Sequence, residues 1–387
     1  MTHKSDCTLP TEILEQIAEQ GLDVLPELIR IILNTAMQAE RQQYLGVQPY
    51  ERSSTRRDHA NGYKPKTMAT RVGEIIFDVP QVRKGDFYPS ALEKGIRSER
   101  ALKLALAEMY VQGVSTRKVA AITERLCGIE VSSTQVSQAA ASLDEQLQEW
   151  RERPLGRCPY LFLDAHYEKV RQSGQVSDAA VLKAIAVNSE GKREILGVSV
   201  SLSEHEVHWR AFLTDLVSRG LTGVQLITSD AHAGLTADRK AVFGGLPWQR
   251  CQFHLQQNAQ AYVPRIRMRK QVVEDIKSVF NAPNLAEAER LLSQLVDRYS
   301  NSAPKLAAWA EENIPEGLTV FRFPSQHRRR IRTANGVERL NKEIRRRSRV
   351  ATLFPNEASC LRLVTAVVME ISEEWQTNRI YLRLNQD

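Results

Sequence analysis

The sequence of 387 residues predicts a mixed α/β core that is interrupted by an α-helical insertion and preceded by an all-α region. Two observations predict this class. Short apolar runs of strand length lie between residues 159 and 255, and apolar residues at helical spacing occupy the segments on both sides. The length allows two or three domains, and the hydrophobic fraction of 42% is ordinary for a globular chain.

The first 96 residues predict helices followed by a basic arm. Apolar side chains in residues 11–45 recur at helical spacing. Residues 48–70 are polar and rich in turn formers, which is typical of a linker or arm. Residues 73–89 alternate between apolar and polar side chains as far as Pro80, which indicates a small hairpin or an edge strand. We treat residues 1–96 as one region.

The next region, residues 97–154, predicts a helix-turn-helix. Gly128 allows a tight turn between two helices, and Ser132 can cap the second of them. The polar residues Gln135 and Gln138 of that second helix would then face base edges in DNA. The alternative is a plain helical hairpin that packs on its neighbours, and the sequence pattern alone leaves both open.

The core is predicted as five strands and two helices. The predicted strands cover 159–165, 179–189, 193–201, 223–230 and 247–255, and the helices cover 205–220 and a short segment that ends at 243. Three strands, a helix, a strand, a helix and a strand require mixed pairing in one sheet. This is the element order of the ribonuclease H-like fold. The core therefore takes residues 155–258 and 322–387, on either side of a helical insertion at 259–321.

Three acidic residues are candidates for a catalytic site. Asp164 and Asp230 each end an apolar strand, where an uncompensated carboxylate is costly to bury. Glu338 lies in an Arg-rich helix, on the same face as Asn341 and Arg345. If the three acids converge, they provide the oxygen ligands that Mg²⁺ prefers, with Mn²⁺ as a substitute. Two such ions can carry out phosphoryl transfer.

Each acid also has an ordinary structural interpretation. An aspartate after a strand is often the N-cap of the next helix, and Asp230 stands directly before such a helix. Glu338 can form an i,i+4 ion pair with Lys342. The joint placement of the three acids in this order of elements favours the catalytic interpretation.

The chain is basic, with a net charge of +7 and an isoelectric point of about 9.1. This balance favours a polyanionic partner such as DNA. Arginines that follow the insertion are the predicted phosphate contacts, because the planar guanidinium binds phosphate through two hydrogen bonds. They are Arg328, Arg329, Arg330, Arg332, Arg345, Arg346 and Arg347. The alternative is a solvated charged face. Trp309, in the insertion, is a candidate for stacking on an unpaired base, although such a tryptophan is more often part of a core.

Cys251 and His254 form a C-x-x-H pair. Zinc requires three or four ligands and no matching second pair stands nearby, so we expect the pair to support a neighbouring phosphate or metal. The five cysteines are scattered and odd in number, which predicts free thiols in a reducing compartment. The sequence shows no signal segment and no apolar run of membrane-spanning length, so we expect a soluble cytoplasmic protein without a membrane partner.

The chain resembles the Mutator-type transposases of bacterial insertion sequences along essentially its whole length. The resemblance rests on the order and combination of several motifs. They are HANGYKPKTMATRVGEIIFDVPQVRKGDFYP, STRKVAAITERLCG with VSSTQVS, LFLDAHYEKVR, ITSDAHAGL, QRCQFHLQQN and IRTANGVERLNKEIRRRSRV. Two features depart from the family pattern: the glutamate motif TANGVER lacks the usual second threonine, and His166 stands where a variable residue is expected.

The resemblance implies a catalytic DDE triad of Asp164, Asp230 and Glu338, and it identifies Cys251 and His254 as the family's C-x-x-H signature. It also implies a ribonuclease H-like core with a helical insertion before the glutamate. Such a transposase would bind terminal inverted repeats with its N-terminal part. It would then release a 3′-OH at the element end in a Mg²⁺-dependent step and join that end to target DNA. We expect a homodimer that acts on the DNA of the nucleoid.

Two rival functions stay open beside the transposase. One is a non-catalytic helix-turn-helix regulator derived from a transposase, and the other is a structure-selective nuclease of the ribonuclease H-like class. Loss of strand cleavage on substitution of Asp164 or Asp230 would exclude the first, and formation of a joined product would exclude the second.

Overall fold

A computed structural model describes most of the chain. The described residues are 19–47, 51, 53–85, 87–92, 98, 100–172, 174–202, 206–349, 353–377 and 380–384. The description covers the backbone alone for Leu22, Arg100, Glu206, Ala233, Asn335 and Glu338. The first part of the predicted N-terminal helix, residues 11–18, lies outside the description. The chain divides into two compact units, residues 1–110 with 114–142 and residues 111–113 with 143–387.

The first unit contains a helix that packs on a β-hairpin. These elements are α1 (Leu25–Leu45), β1 (Ala60–Thr70) and β2 (Gly73–Val82), and the two strands pair antiparallel. Gly46 ends the helix in the left-handed region, with φ of +69°, as glycine does most readily. Side chains alternate along β2, so Ile75 and Phe77 point inward and share a buried cluster with Met37 of α1.

Three short helices follow the hairpin. They are α2 (Arg100–Val111), α3 (Thr116–Cys127) and α4 (Ser133–Ala141). The hydroxyl of Ser115 accepts a hydrogen bond from the Lys118 N–H at the start of α3, and Gly128 ends that helix. Ser132 and Gln135 form a reciprocal capping box at the start of α4. Apolar side chains of all three helices meet in one buried cluster. Two consecutive helices therefore lie where the sequence predicts a helix-turn-helix.

The second unit is built around a five-stranded mixed sheet. Its strands are β3 (Tyr160–Gln172), β4 (Gln175–Val187), β5 (Arg193–Ser201), β6 (Leu226–Ser229) and β7 (Trp248–Arg250). Their spatial order is β5-β4-β3-β6-β7. Strands β3, β4 and β5 pair antiparallel, whereas β6 and β7 run parallel to β3. The fold is therefore mixed α/β, as predicted.

Helices cover the sheet and form the insertion. In chain order they are α5 (Asp144–Glu152), α6 (Glu206–Ser218), α7 (Ala233–Phe243), α8 (Gln252–Ala259), α9 (Arg269–Phe280), α10 (Leu285–Tyr299), α11 (Pro304–Asn313), α12 (Ser325–Ile331), α13 (Asn335–Ser348) and α14 (Glu357–Thr377). Short 3₁₀ helices lie at Gly21–Val24, Gln260–Tyr262, Ile266–Met268, Ile314–Gly317 and Thr319–Arg322. The predicted insertion is helical, with α9, α10 and α11 as its main elements. None of the helices in the described segments is long and apolar enough to span a bilayer.

Alternation along β3 and β4 gives the sheet two different faces. Leu161 and Leu163 pack with Trp209 of α6 in the main apolar cluster. Because successive residues of a strand point to opposite faces, Asp164 and its cross-strand partner Lys183 lie on the other face. One face of the sheet is thus core, and the other carries ionisable groups.

The structure corrects three predictions. Residues 60–70 form a strand rather than a linker, so the N-terminal region is not all-α; the strand is mostly exposed and carries no apolar alternation that would mark it. Asp164 does not end its strand, because β3 continues to Gln172 as a long hairpin with β4. The predicted strand 247–255 ends at Arg250, and its second half is helix α8.

Candidate active site

Asp164 and Asp230 lie at the same level of two neighbouring strands. The last residue pair between β3 and β6 is Phe162 with Thr228, and each aspartate comes two positions after its strand's member of that pair. The equal offset brings both residues to one region of the sheet. The side chain of Asp164 is 12% exposed and that of Asp230 is 44% exposed, so the first carboxylate is held by protein and the second faces solvent.

A buried lysine neutralises Asp164. Lys183 pairs with Asp164 across the sheet and is fully buried. Its ammonium lies 3.1 Å from Asp164 Oδ2 and 2.7 Å from His166 Nδ1, and it also donates to Asn341 Oδ1. Burial lowers the pKa of Lys183, and the carboxylate of Asp164 opposes that shift. Lys183 is not among the site residues predicted from the sequence, although a lone lysine in the apolar run AAVLKAIAV is the signal of a buried, paired cation.

Helix α13 docks on the strand that carries Asp164. The Nδ2 atom of Asn341 donates to Asp164 Oδ2 at 2.9 Å. The hydroxyl of Ser348, about two turns further along α13, donates to Glu168 Oε1 at 3.1 Å. Glu338 lies in α13 about one turn before Asn341, although its side chain falls outside the description. The backbone that carries the third predicted acid is therefore fixed beside the first.

The C-x-x-H pair holds the start of the same helix. The N–H of Cys251 donates to the carbonyl of Ser229 at the end of β6, at 2.8 Å. Its Sγ accepts a hydrogen bond from the Ala334 N–H at 3.3 Å, and Ala334 directly precedes α13. The Cys251 side chain is fully buried. The cysteine thus connects the end of the Asp230 strand to the beginning of the Glu338 helix.

The surroundings of His254 favour the protonated form of its ring. The neighbouring Cys251 side chain is the largest cause that raises the pKa of His254 to about 9. Burial opposes the rise, and the carboxylates of Asp230 and Asp164 add to it. Within the described residues the buried Nδ1 of His254 has no hydrogen-bond partner.

The residues that converge here fit a hard divalent cation. The carboxylate oxygens of Asp164 and Asp230 are the ligand type that Mg²⁺ and Mn²⁺ take. In the described part of the chain, Asp164 Oδ1 accepts no hydrogen bond and is left for such a ligand. No group of three His, Cys, Asp or Glu side chains that could hold an ion occurs among the described side chains, which do not include Glu338. Metal binding by the three acids therefore stays a prediction.

Several of the arginines predicted to contact phosphate are engaged within the protein. Arg328 and Arg332 donate to main-chain carbonyls in and next to the insertion. Arg347 is 5% exposed and pairs with Glu343 and Glu370, so its guanidinium is engaged within the protein and phosphate contact by it stays a prediction. The arginines that stay exposed are Arg329, Arg330, Arg345 and Arg346. DNA contact by these four stays a prediction.

Trp309 belongs to the core of the insertion. It is 8% exposed and stacks on Tyr262, with the two ring centroids 5.5 Å apart, so it does not offer an open face to a base. The exposed ring of this pair is Tyr262, at 40%. We call residues 262–270 the basic loop. Its exposed cations are Arg265, Arg267, Arg269 and Lys270, and Ile266 between them is 80% exposed. In the described chain none of the four cations has a side-chain partner, which sequence inspection alone could not show.

Gln135 and Gln138 are both exposed on α4. The Oε1 atom of Gln135 accepts a hydrogen bond from the Ser132 N–H in the capping box, at 2.7 Å. One end of Gln135 is therefore used by the helix itself, and its amino group is left to other partners. Base contact by either glutamine stays a prediction.

Comparison with known proteins finds relatives along the whole chain. The model of the family described as Transposase, Mutator family, matches residues 1–378. The chain is 58% identical over 371 residues to the transposase for insertion sequence element IS406 of Burkholderia multivorans, covering 95% of this chain and 96% of the relative. It is 42% identical over 383 residues to the transposase for element ISRM5 of Rhizobium meliloti, covering 99% and 96%. It is 35% identical over 387 residues to the transposase for element IS256 in transposon Tn4001 of Staphylococcus aureus, covering 98% of each.

Among solved structures, a match is a chain of the simian T-cell lymphotropic virus intasome in complex with the PP2A regulatory subunit B56 gamma. The match covers 53% of this chain and 64% of that chain, with 10% identity and a TM-score of 0.19. A score this low carries no argument about fold or function.

Proposed function

Because the chain belongs to the Mutator family of transposases, we propose that it is a DDE transposase that moves an insertion sequence. It binds the terminal inverted repeats of the element, cleaves DNA strands at its ends and joins each released 3′-OH to target DNA. Asp164, Asp230 and Glu338 are the catalytic residues. Mg²⁺ is the cofactor, and Mn²⁺ can substitute for it. The core is of the ribonuclease H-like type, a proposal that the strand order β5-β4-β3-β6-β7 supports.

The observation that carries this proposal is the convergence of two strands and one helix around Asp164. Asp230 lies at the same level of the neighbouring strand, and Asn341 brings α13 into hydrogen-bond contact with Asp164. A purely structural aspartate in a sheet does not need a second acid, a cationic histidine and an Arg-rich helix around it. Active sites are where such groups cluster.

The chain's own residues would position the reacting groups. Asp164, Asp230 and Glu338 would hold divalent ions, which would supply activation of the attacking oxygen and stabilisation of the leaving one. Lys183 and Asn341 hold Asp164 Oδ2, so the carboxylate keeps one orientation. The ring of His254, whose pKa is raised to about 9, would donate to a phosphate oxygen in a charge-assisted hydrogen bond. This route needs no covalent protein–DNA intermediate.

DNA would contact both units of the protein. Helices α3 and α4 would bind duplex DNA of the inverted repeats, as a helix-turn-helix does. The basic loop, with Tyr262 as its exposed ring, would bind phosphates and an unpaired base near a cleaved end. Two element ends must be held together, so we propose that the protein acts as a homodimer on DNA. The expected place of action is the cytoplasm, at the nucleoid.

Substitution of the two aspartates tests the proposal. D164N and D230N each remove one negative charge with little change in shape, and D178N does the same to an exposed aspartate that pairs with Lys169. On DNA that carries the element ends with Mg²⁺, we expect D164N and D230N to lose cleavage and joining by about a hundredfold or more. D178N should keep both activities, and all three variants should still bind the ends.

The rival functions give different results in the same assay. A DNA-binding regulator binds the ends but never cleaves them in the wild-type form. A structure-selective nuclease cuts branched DNA without preference for the ends and yields no joined product. Full cleavage by D164N would show that the proposed site is not the catalytic one.

A further inference from the structure

Lys183 is a fully buried cation in an apolar strand. Its neighbours Leu182 and Ala184 are also fully buried. A buried ammonium is costly unless its three N–H donors are satisfied. Three acceptors surround this one: Asp164 Oδ2 at 3.1 Å, His166 Nδ1 at 2.7 Å and the side-chain oxygen of Asn341. The site is thus built to hold a positive charge next to Asp164.

The contacts of Lys183 set the state of its neighbours. Because Lys183 donates to Nδ1 of His166, the proton of that ring is on Nε2, which lies 3.2 Å from Glu168 Oε1. Glu168 in turn accepts a hydrogen bond from Ser348 of α13. A chain of hydrogen bonds therefore runs from Lys183 of β4 through His166 and Glu168 of β3 to Ser348 of α13. Lys183 also donates to Asn341, which lies nearer the start of α13.

The two oxygens of Asp164 are used differently. Its Oδ2 atom faces both Lys183 and Asn341, whereas Oδ1 has no donor in the described part of the chain. A divalent ion would therefore bind Oδ1, a few ångströms from a fixed ammonium. Two cations at that separation in a site of reduced dielectric repel each other strongly.

We propose that Lys183 is the resident counter-cation of Asp164: it holds the metal-free site in shape, and its charge weakens divalent-ion binding until DNA is present. DNA phosphates bring the negative charge that offsets the ammonium, so the ion and the substrate favour each other's binding. Lys183 is a positioning residue, because it acts through Asp164. The inference rests on the proposed function, in which Asp164 is a metal ligand.

The other charges around Lys183 agree with this role. Glu168 and Asp164 are the acids that face it, and Arg345 of α13 is a further cation near it. With Arg345 included, the two cations balance the two acids. Removing Lys183 should therefore leave Asp164 as a net negative site that a divalent ion can neutralise.

The test uses the full-length protein, Mn²⁺ as the probe and no DNA. The variant K183M removes the charge and keeps the length of the side chain. We expect K183M to unfold at a lower temperature than the wild type without metal, to gain more in Tm from Mn²⁺, and to bind Mn²⁺ about tenfold more tightly or better by calorimetry. If K183M folds only when Mn²⁺ is present, that result also supports the proposal, because the ion then replaces the ammonium.

Two controls separate charge from packing. K169M removes an exposed ammonium of β3 that pairs with Asp178, so its Mn²⁺ affinity should stay within about twofold of the wild type. L196A creates a cavity in the same unit and should lower Tm without changing the effect of Mn²⁺. If K183M binds Mn²⁺ no more tightly than the wild type, or stays unfolded with and without Mn²⁺, the proposal is overturned.

The outcome is distinct from that of the cleavage assay. A wild-type protein that cleaves and joins DNA, together with unchanged Mn²⁺ affinity in K183M, would overturn the role of Lys183 alone. Tighter Mn²⁺ binding by K183M in a protein that never cleaves DNA would overturn the proposed transposase activity and leave the counter-cation in place.

Discussion

At the scale of single residues, environment decides the role of a charge more than residue type does. Arg346 and Arg347 are adjacent in an arginine run, yet their side chains are 61% and 6% exposed. The first is an exposed member of an i,i+3 pair with Glu343, and the second connects Glu343 to Glu370 of α14. An arginine run in a sequence does not reveal which of its members point inward, because successive residues of a helix point in different directions.

The adjacent arginines predict different costs of truncation. R347A leaves Glu343 and Glu370 without their buried partner, so we expect the free energy of unfolding to fall by about 2 kcal/mol. R346A removes an exposed ion pair and should leave the free energy of unfolding nearly unchanged. Urea denaturation of the two variants measures both values, and equal losses would contradict the inward assignment of Arg347.

The raised pKa of His254 predicts a pH dependence of stability. Its folded-state pKa is about 9, above the ordinary 6.5, so the folded state binds the proton more tightly than the unfolded chain does. The stabilisation is fully present below about pH 6.5 and is lost as the pH rises through about 9. We expect the stability difference between the wild type and H254Q to shrink over that interval in urea titrations. A difference that grows with pH would show that the ring is neutral in the folded protein.

At the scale of secondary-structure elements, the sequence predicts those that carry their own local signals. The helices α3 and α4 are marked by Ser132 and Gly128, which do in the structure what their residue types favour. The length of β3 is not marked, because its second half, HYEKVRQ, is polar and is held by backbone hydrogen bonds to β4 and to Phe354. A strand stabilised by its partner's backbone leaves no apolar alternation to find.

The residues of the candidate site also differ in whether the sequence predicts them. The two aspartates are predictable because each follows a short apolar run within a specific motif. Lys183 and Ser348 are not, because their role depends on a cross-strand register and on how α13 lies against β3, neither of which appears in the sequence. A lone lysine in an apolar run indicates a buried cation, but not which acid it faces.

The contact between Cys251 and Ala334 predicts a difference between two buried cysteines. C251A removes the sulfur that accepts the N–H at the start of α13, whereas C158A truncates a thiol packed in the apolar cluster, where burial raises the pKa of Cys158 to about 12 and keeps it neutral. We expect each to lower the free energy of unfolding by about 1 to 2 kcal/mol. Only C251A should lower DNA cleavage. If the two variants cleave DNA equally well, Cys251 does not help to position α13 for cleavage.

Tyr262 and Trp309 stack on each other in the insertion, and we expect their truncation to affect different properties: DNA binding for Tyr262 and stability for Trp309. Y262A removes the exposed ring, so we expect it to weaken binding of a single-stranded oligonucleotide about fivefold or more, since one stacked base is worth about 1 to 3 kcal/mol. W309A removes the buried ring and should lower the free energy of unfolding by about 3 kcal/mol. Fluorescence anisotropy and urea denaturation measure the two effects. If Y262A binds the oligonucleotide as tightly as the wild type, the basic loop does not contact the DNA.

At the scale of the whole molecule, the net charge of +7 becomes informative only when the cations are sorted by their partners. Internal carbonyls and carboxylates already bind the guanidinium groups of Arg328, Arg332 and Arg347, so these arginines add little to an outer binding surface. The basic loop has four exposed cations, and none has a side-chain partner in the described chain. A cation that is free of protein partners can exchange counterions for phosphates, and this exchange is what makes DNA binding depend on salt.

This sorting predicts the salt dependence of single-stranded DNA binding. The quadruple variant R265A/R267A/R269A/K270A should lower the slope of log K against log salt by about 3, since each phosphate contact on a single strand contributes about 0.7. The matched internal variant R328A removes a guanidinium that already binds three carbonyls, so its slope should stay that of the wild type while its stability falls. Anisotropy titrations between about 50 and 200 mM salt measure both slopes. If R328A lowers the slope and the quadruple variant does not, single-stranded DNA contacts the arginines predicted from the sequence and does not contact the basic loop.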